Sequence, residues 1–295
     1  MFQSIKSIFI AIRPKTLSAS ISPVLVGSSI ALRDQHFNAY IFLFTLLAAL
    51  FIQVGTNFAN DVYDYIKGAD NSDRLGPMRA VQANLISIKS MKKLTLIAFC
   101  LAIGCGIPLV LKGGIPILAI GLFSIVSGYA YTAGPYPLGY NGWGDFFVFC
   151  FFGPIAVCGT FFLQVGHISI ESLLAGIILG CLSVTLLCIN NIRDVETDEK
   201  AGKRTLAVRL GPQFVRVMFI ILFIIPYFLT GYLTYGLKYL NINLFFVLLI
   251  LTFPLFLKVG FDTFKFKSKN LNTVLARVSI FITIFSILLT LGILL

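Results

Sequence analysis

The sequence predicts an all-α polytopic membrane protein, a single integral-membrane domain over residues 1–295 with nine transmembrane helices. Composition is the first reason: 58% of the 295 residues are hydrophobic and only 12% charged, with a mean hydropathy of +0.93. A soluble domain is about 45–50% apolar and about 25% charged. The second reason is nine apolar runs, each near the roughly 20 residues that cross a bilayer core. The third is charge asymmetry. Of 23 Lys and Arg, 20 fall in alternate loops, which places those loops and the N-terminus in the cytoplasm and the C-terminus outside.

The runs follow in order. Lys6, Arg13 and Lys15 precede the first, at 16–32; no small-residue cleavage site follows a short apolar core, so no removable signal peptide is expected. Arg33 separates it from the second, at 39–59, after which six Lys or Arg mark a cytoplasmic segment. Lys112 lies between the third, at 94–111, and the fourth, at 115–133. The fifth spans 146–165 and the sixth 172–192, and six basic residues follow. The seventh and eighth, at 214–236 and 241–257, flank Lys238; five basic residues follow the eighth, the last of them, Arg277, at the start of the ninth, at 274–294.

This topology accounts for the net charge of +11, so no nucleic-acid partner is needed. All six Cys fall inside apolar runs and read as small buried hydrophobes. His36 and His167 fall in outside loops, which argues against triad and metallohydrolase chemistry on the cytoplasmic side. Trp143 reads as an interface anchor.

The acids say more. Ten of the twelve Asp and Glu are cytoplasmic, and eight of these lie in clusters at 61–73 and 194–199, at the ends of spans two and six. In the first, Asn60 and Asp64 share a helix face, as do Asn57 and Asp61. Gly68 is a plausible helix stop that leaves Asp70 on a returning loop. In the second, Asn190, Asp194 and Asp198 recur at i, i+4 and i+8, with Asn191 and Arg193 beside them and Gly202-Lys203-Arg204 beyond. Oxygen ligands without His or Cys suit a hard cation, Mg²⁺ or Mn²⁺. Mg²⁺ commonly takes one or two carboxylates plus substrate phosphate oxygens, so the pairs could hold ions around a diphosphate. Lys67, Arg74, Arg79, Arg193, Lys203 and Arg204 would meet its remaining charge. Solvated helix ends are the bland alternative, which explains scattered Lys and Arg but not paired Asn/Asp stripes. An ion-coupled transporter is another, but its acids usually lie mid-span.

At these clusters the sequence resembles the UbiA superfamily of intramembrane aromatic prenyltransferases, in the motifs Asn60-Asp61-Val62-Tyr63-Asp64 and Asp194-Val195-Glu196-Thr197-Asp198. The common form has a further Asp where this chain has Gly68. The variant Lys67-Gly68-Ala69-Asp70 looks like the 1,4-dihydroxy-2-naphthoate polyprenyltransferase branch. Arg13-Pro14-Lys15-Thr16, Asp73-Arg74-Leu75-Gly76-Pro77-Met78-Arg79, Tyr131-Thr132-Ala133-Gly134-Pro135 and Gly202-Lys203-Arg204-Thr205 agree with it.

The resemblance implies nine helices around a central cavity open to the cytoplasmic side of a bacterial inner membrane. It implies that Asn60, Asp64 and Asp70 face Asp194 and Asp198 across a Mg²⁺–diphosphate site, with Asn60, Asp64, Asp194 and Asp198 as the catalytic set. Asp61, about 100° from Asn60 on the helix, reads as a supporting residue, as do Asn190 and Asn191. The implied reaction transfers a polyprenyl group from an allylic polyprenyl diphosphate to 1,4-dihydroxy-2-naphthoate, losing CO₂ and diphosphate. Tyr63, Tyr65, Tyr131 and Tyr140 are candidates to shield the allylic cation or contact the acceptor. Other acceptors within the superfamily (4-hydroxybenzoate, homogentisate or an isomeric naphthoate) stay open.

Overall fold

The computed structural model describes residues 2–72 and 74–295; Met1, Asp73, which is the last acid of the first cluster, and the side chains of residues 2–5 and of Lys15 lie outside the described residues. The described chain is helical throughout. Its helices are α1 (Phe2–Ile12), α2 (Pro14–Arg33), α3 (Ala39–Ile66), α4 (Ile88–Ala130), α5 (Gly144–Phe152), α6 (Pro154–Val165), α7 (Ile170–Arg193), α8 (Val195–Lys200), α9 (Leu206–Leu210), α10 (Pro212–Gly231), α11 (Ile242–Lys265) and α12 (Leu271–Leu294). Seven stretches among the described residues are long and apolar enough to cross a membrane, or eight if α1 and α2, bent by 58°, count as one.

Local chemistry explains the boundaries. Pro14, Pro154 and Pro212 open α2, α6 and α10 at a position where a missing N–H costs nothing. Asn38 caps α3 by accepting from Ile41 N at 3.1 Å, and Ser169 and Ser172 form a reciprocal capping box on α7.

The sequence separates two spans between 94 and 133, and α4 covers both. It has 43 residues but breaks at Gly114, where φ is 66° and ψ −154°. A straight helix of that length would reach about 65 Å. Instead its two halves return to the same helix. A Cβ on Gly55 of α3 would meet the Phe99 ring at 2.7 Å, and one on Gly128 would run into Thr56 Oγ1. Lys92 and Tyr129 both reach Tyr63. α4 is therefore a helical hairpin along α3.

α7 is the central helix, the most enclosed of the membrane-length stretches at 72% buried. The large apolar core lies around it, where α2, α6, α10, α11 and α12 contribute Ile30, Phe161, Phe219, Val259 and Phe281. Phe223, Tyr227, Phe256, Phe281 and Phe285 pack ring on ring between α10, α11 and α12. The last three helices thus brace one side of α7, while α3 and the α4 hairpin stand on the other side of a cavity.

Candidate functional site

Both acidic clusters end in the same local device. At the end of α3, Gly68 has φ +76°; its N–H donates to Tyr65 O at 3.1 Å, and Ala69 N donates to Asp64 O at 2.9 Å. That pair of bonds is a Schellman cap with glycine in the left-handed position. Asp70 N also donates to Asp64 O, at 3.1 Å, so the returning chain sets Asp70 beside Asp64. At the end of α8, Gly202 has φ +73°; Gly202 N donates to Glu199 O at 3.0 Å and Lys203 N to Asp198 O at 2.8 Å. In each cluster an aspartate stands four residues before the glycine. The first turn-back delivers an acid, the second a lysine.

α7 and α8 meet at Asp194, which has φ −97° and ψ 7°. Hydrogen bonds from Asp194 N to Asn190 O and from Asp198 N to Asp194 O carry the helical register across that bend. The expected stripe therefore holds, and Asn190, Asp194 and Asp198 all line one cavity of about 1010 Å³. Asn60, Asp64, Asn191, Arg193, Arg74, Arg79, Lys203, Tyr131 and Tyr140 share that lining. Below this polar end the wall turns apolar, through Phe147, Phe151, Ile107 and Leu118 as far as Leu111 at the hairpin bend.

Charges alternate at the head of the cavity. Lys203 Nζ lies 3.3 Å from Asp64 Oδ1 and 3.6 Å from Asp198 Oδ1, so one cation joins the two clusters. Arg79 reaches Asp64 Oδ2 at 3.7 Å and Asp70 Oδ2 at 3.0 Å. The second contact lacks hydrogen-bond alignment and leaves both atoms unsatisfied. Arg74 pairs with Asp70. Asp194 takes two bonds from Arg193, at 2.7 and 2.6 Å. Tyr140 donates its hydroxyl to Asp64 Oδ1 at 2.9 Å, and Lys203 and Lys67 stand over its ring at 4.7 and 4.9 Å. Asn60 Oδ1 accepts from Thr132 at 2.9 Å.

Titration follows from this crowding. Burial pushes the Asp70 carboxyl up to about 7, against Arg74 and with Asp64. Burial likewise pushes Asp198 up to about 6, opposed by Lys203 and assisted by Asp194 and Asp64. Burial pulls Lys203 down, but Asp64, Asp198 and Asp70 outweigh it and hold the ammonium above its ordinary value. Burial and Asp64 both raise Tyr140, which stays a phenol donor.

These residues fit a hard divalent cation. Their donors are oxygens, and a protein ammonium already bridges Asp64 and Asp198. Among the described residues no three His, Cys, Asp or Glu converge to hold a metal by themselves.

Some expected residues take other places. Asp61 is buried and accepts from Ala80 N and Val81 N, each at 3.0 Å. It anchors the loop carrying Arg74 and Arg79. Asp70 lies behind Arg74 and Arg79 and is not part of the cavity lining. Tyr63 pairs with Tyr129 and Lys92 away from the lining, and Tyr65 is 38% exposed; neither helix-end ring faces the cavity as Tyr131 and Tyr140 do. Arg204 is exposed and holds the site only through its backbone N–H to Tyr140 O, at 2.8 Å.

One residue escaped the sequence reading, and another was read there without a role in the site. Asn272, at the start of α12, accepts from Arg193 at 2.8 Å and donates to Leu75 O at 2.8 Å, tying the second cluster to the loop after the first. No motif surrounds it. Arg13 lines the cavity from the break between α1 and α2; the sequence offers it only as an N-terminal charge and as the first residue of the Arg13-Pro14-Lys15-Thr16 motif.

Residues 20–291 match the model of the UbiA prenyltransferase family. The chain is 34% identical over 293 residues to the 1,4-dihydroxy-2-naphthoate octaprenyltransferase of Haemophilus influenzae, covering 96% of this chain and 94% of that one. It is 37% identical over 207 residues to the enzyme of the same name from Escherichia coli, covering 68% and 67%. Its fold is like that of a UbiA homolog from Archaeoglobus fulgidus bound to DMAPP and Mg²⁺, with a TM-score of 0.65 at 19% identity, covering 97% and 99%.

Proposed function

The chain belongs to the UbiA prenyltransferase family, and from that premise we propose that it transfers a polyprenyl group from an allylic diphosphate to 1,4-dihydroxy-2-naphthoate. One observation carries the reading: the Asp198–Lys203–Asp64 bridge stands at the head of a long apolar cavity. That shape suits a molecule with a charged head and a hydrocarbon tail. The names of the relatives from Haemophilus influenzae and Escherichia coli supply the acceptor.

Asn60, Asp64, Asp194 and Asp198, which line the cavity, would hold Mg²⁺, which supplies Lewis-acid stabilisation of the leaving diphosphate, while Asp70 holds Arg74 and Arg79 in place. Arg74, Arg79, Arg193 and Lys203 line the same end and would take up the charge that grows on the leaving oxygens. Lys67, over the Tyr140 ring, completes this basic rim. Tyr131 and Tyr140 present ring and hydroxyl to the reacting centre, and the apolar wall keeps water from the allylic carbon. The ring carbon bearing the carboxylate bonds to C1 as the C1–O bond breaks. The ring–carboxylate bonding pair then returns to the ring as CO₂ leaves. Charge balances with no proton removed: a monoanion and a diphosphate ester give a neutral hydroquinone, CO₂ and free diphosphate. A catalytic base is therefore unnecessary.

We count nine crossings in one domain: α2, α3, both halves of α4, α5 with α6, α7, α10, α11 and α12. The basic loops support a site end on the cytoplasmic face, and the bacterial relatives support an inner membrane as its place.

The test uses membranes containing the protein, a radiolabelled allylic diphosphate, Mg²⁺ and a panel of acceptors, with and without EDTA. EDTA-sensitive labelling of 1,4-dihydroxy-2-naphthoate is expected. Labelling of 4-hydroxybenzoate or homogentisate alone would move the chain to another acceptor, and no labelling would end the reading.

A further inference from the structure

Among the described residues five cations line the cavity: Arg13, Arg74, Arg79, Arg193 and Lys203. Four are paired with carboxylates. Among the described residues Arg13 has no such partner. Its guanidinium makes one long hydrogen bond, 3.4 Å to Asn57 O.

Its backbone, by contrast, is tightly held. Arg13 has φ 55° and ψ 69° immediately before Pro14, a region that a non-glycine residue keeps only when its surroundings impose it. Here Asn57 does so, donating to Ile12 O at 2.8 Å and to Thr16 Oγ1 at 3.1 Å. Thr16 in turn bonds Arg13 O at 2.9 Å through both its N–H and its hydroxyl. A rigid backbone presents a cation whose donors are mostly unused, and a guanidinium is shaped for a carboxylate.

Resting on the reading above, we propose that Arg13 receives the carboxylate of the aromatic acceptor and sets its selectivity. Its contact on α3 distinguishes this role from diphosphate binding, although the charges of Asp61, Arg74, Asp70 and Asp64 still act on the Arg13 guanidinium. Asn57 lies seven residues before Asp64, about 10 Å further along α3, whereas the paired cations crowd the Asp64 end. An acid held at Arg13 would place its carboxyl-bearing carbon beyond the diphosphate, on the side of the allylic C1. The carboxylate leaves as neutral CO₂, so the ion pair that draws the acceptor in is removed by the reaction. The product has no anion for Arg13 to hold, which favours its release into lipid.

The test compares purified full-length wild type, Arg13→Gln and Arg13→Lys in nanodiscs. Binding of 1-hydroxy-2-naphthoate and of 1-naphthol is read by fluorescence, binding of geranyl diphosphate by calorimetry, and folding by thermal melting. Wild type should prefer the carboxylate by about 10- to 100-fold, the worth of a charge-assisted contact. Arg13→Gln should lose that preference, Arg13→Lys should keep part of it, and geranyl diphosphate binding should be unchanged in both. An undiminished preference in a folded Arg13→Gln protein overturns the assignment, and so does a parallel loss of geranyl diphosphate binding; both leave the acceptor reading standing. A wild type that binds both naphthalenes alike would instead remove the acceptor reading, and the assignment with it.

Discussion

Tyr140→Phe isolates one contact in the centre of the site. The hydroxyl donates to Asp64 Oδ1 at 2.9 Å, while the ring lies under Lys67 and Lys203. Phenylalanine keeps the ring and both cation contacts and removes only the donor. A hydrogen bond to a charged group contributes about 1.5–3 kcal/mol, so Asp64 should lose orientation worth roughly 10- to 100-fold in kcat/KM. Asp64 keeps Lys203 and Arg79, so folding should hardly change. The loss should also appear as a higher Mg²⁺ requirement, because the loosened carboxylate is a proposed ligand. The assay is prenyl transfer across a Mg²⁺ titration at fixed substrates, alongside melting in detergent. A Mg²⁺ midpoint identical to wild type would refute the claim that Tyr140 orients a metal-binding carboxylate.

Two glycine substitutions should differ in kind. A Cβ on Gly68 meets nothing within 4 Å, so Gly68→Ala suffers only from its φ of +76°, about 1–2 kcal/mol, and lowers activity by unsettling Asp70. Gly55→Ala drives a methyl to 2.7 Å from the Phe99 ring, costs about 1–3 kcal/mol by overpacking, and should show chiefly as a lower Tm. Asn272→Ala frees both Arg193 and Leu75 O; melting should drop by an amount equivalent to about 1–3 kcal/mol and KM for the diphosphate should rise. The Asp198 and Asp70 carboxyls, raised to about 6 and about 7, bind protons more tightly folded than unfolded. In EDTA the protein should therefore lose stability as pH rises from about 4 to about 7 and then level off. A Tm that climbs through that window would contradict the electrostatics, and added Mg²⁺ should restore most of the loss above pH 7.

Much of the site is legible because it is built from short-range patterns. Asn60, Asp64 and the stripe Asn190, Asp194, Asp198 follow from helical spacing, and the turn-back at Gly68 follows from glycine's tolerance of positive φ. The third and fourth runs are legible as apolar segments, although their joint is a glycine break inside one hairpin. What stays hidden is what other elements impose. Rotation about α3 turns Tyr63 and Tyr65 away from the cavity, and spacing within one motif cannot show which neighbour claims a side chain. Asn272 is 79 residues from Arg193, and Asn57 is 44 from Arg13; such pairs form only once the bundle closes.

The central claim is that two acidic helix ends make one diphosphate-releasing, CO₂-releasing site. The most direct measurement follows carboxyl-labelled 1,4-dihydroxy-2-naphthoate with a prenyl diphosphate in wild type, Asp64→Asn and Asp198→Asn membranes. The account predicts one labelled CO₂ for each prenylated ring in wild type, and loss of both signals in each folded variant. A prenylated product that retains its label, or near-normal turnover in both variants, would contradict it.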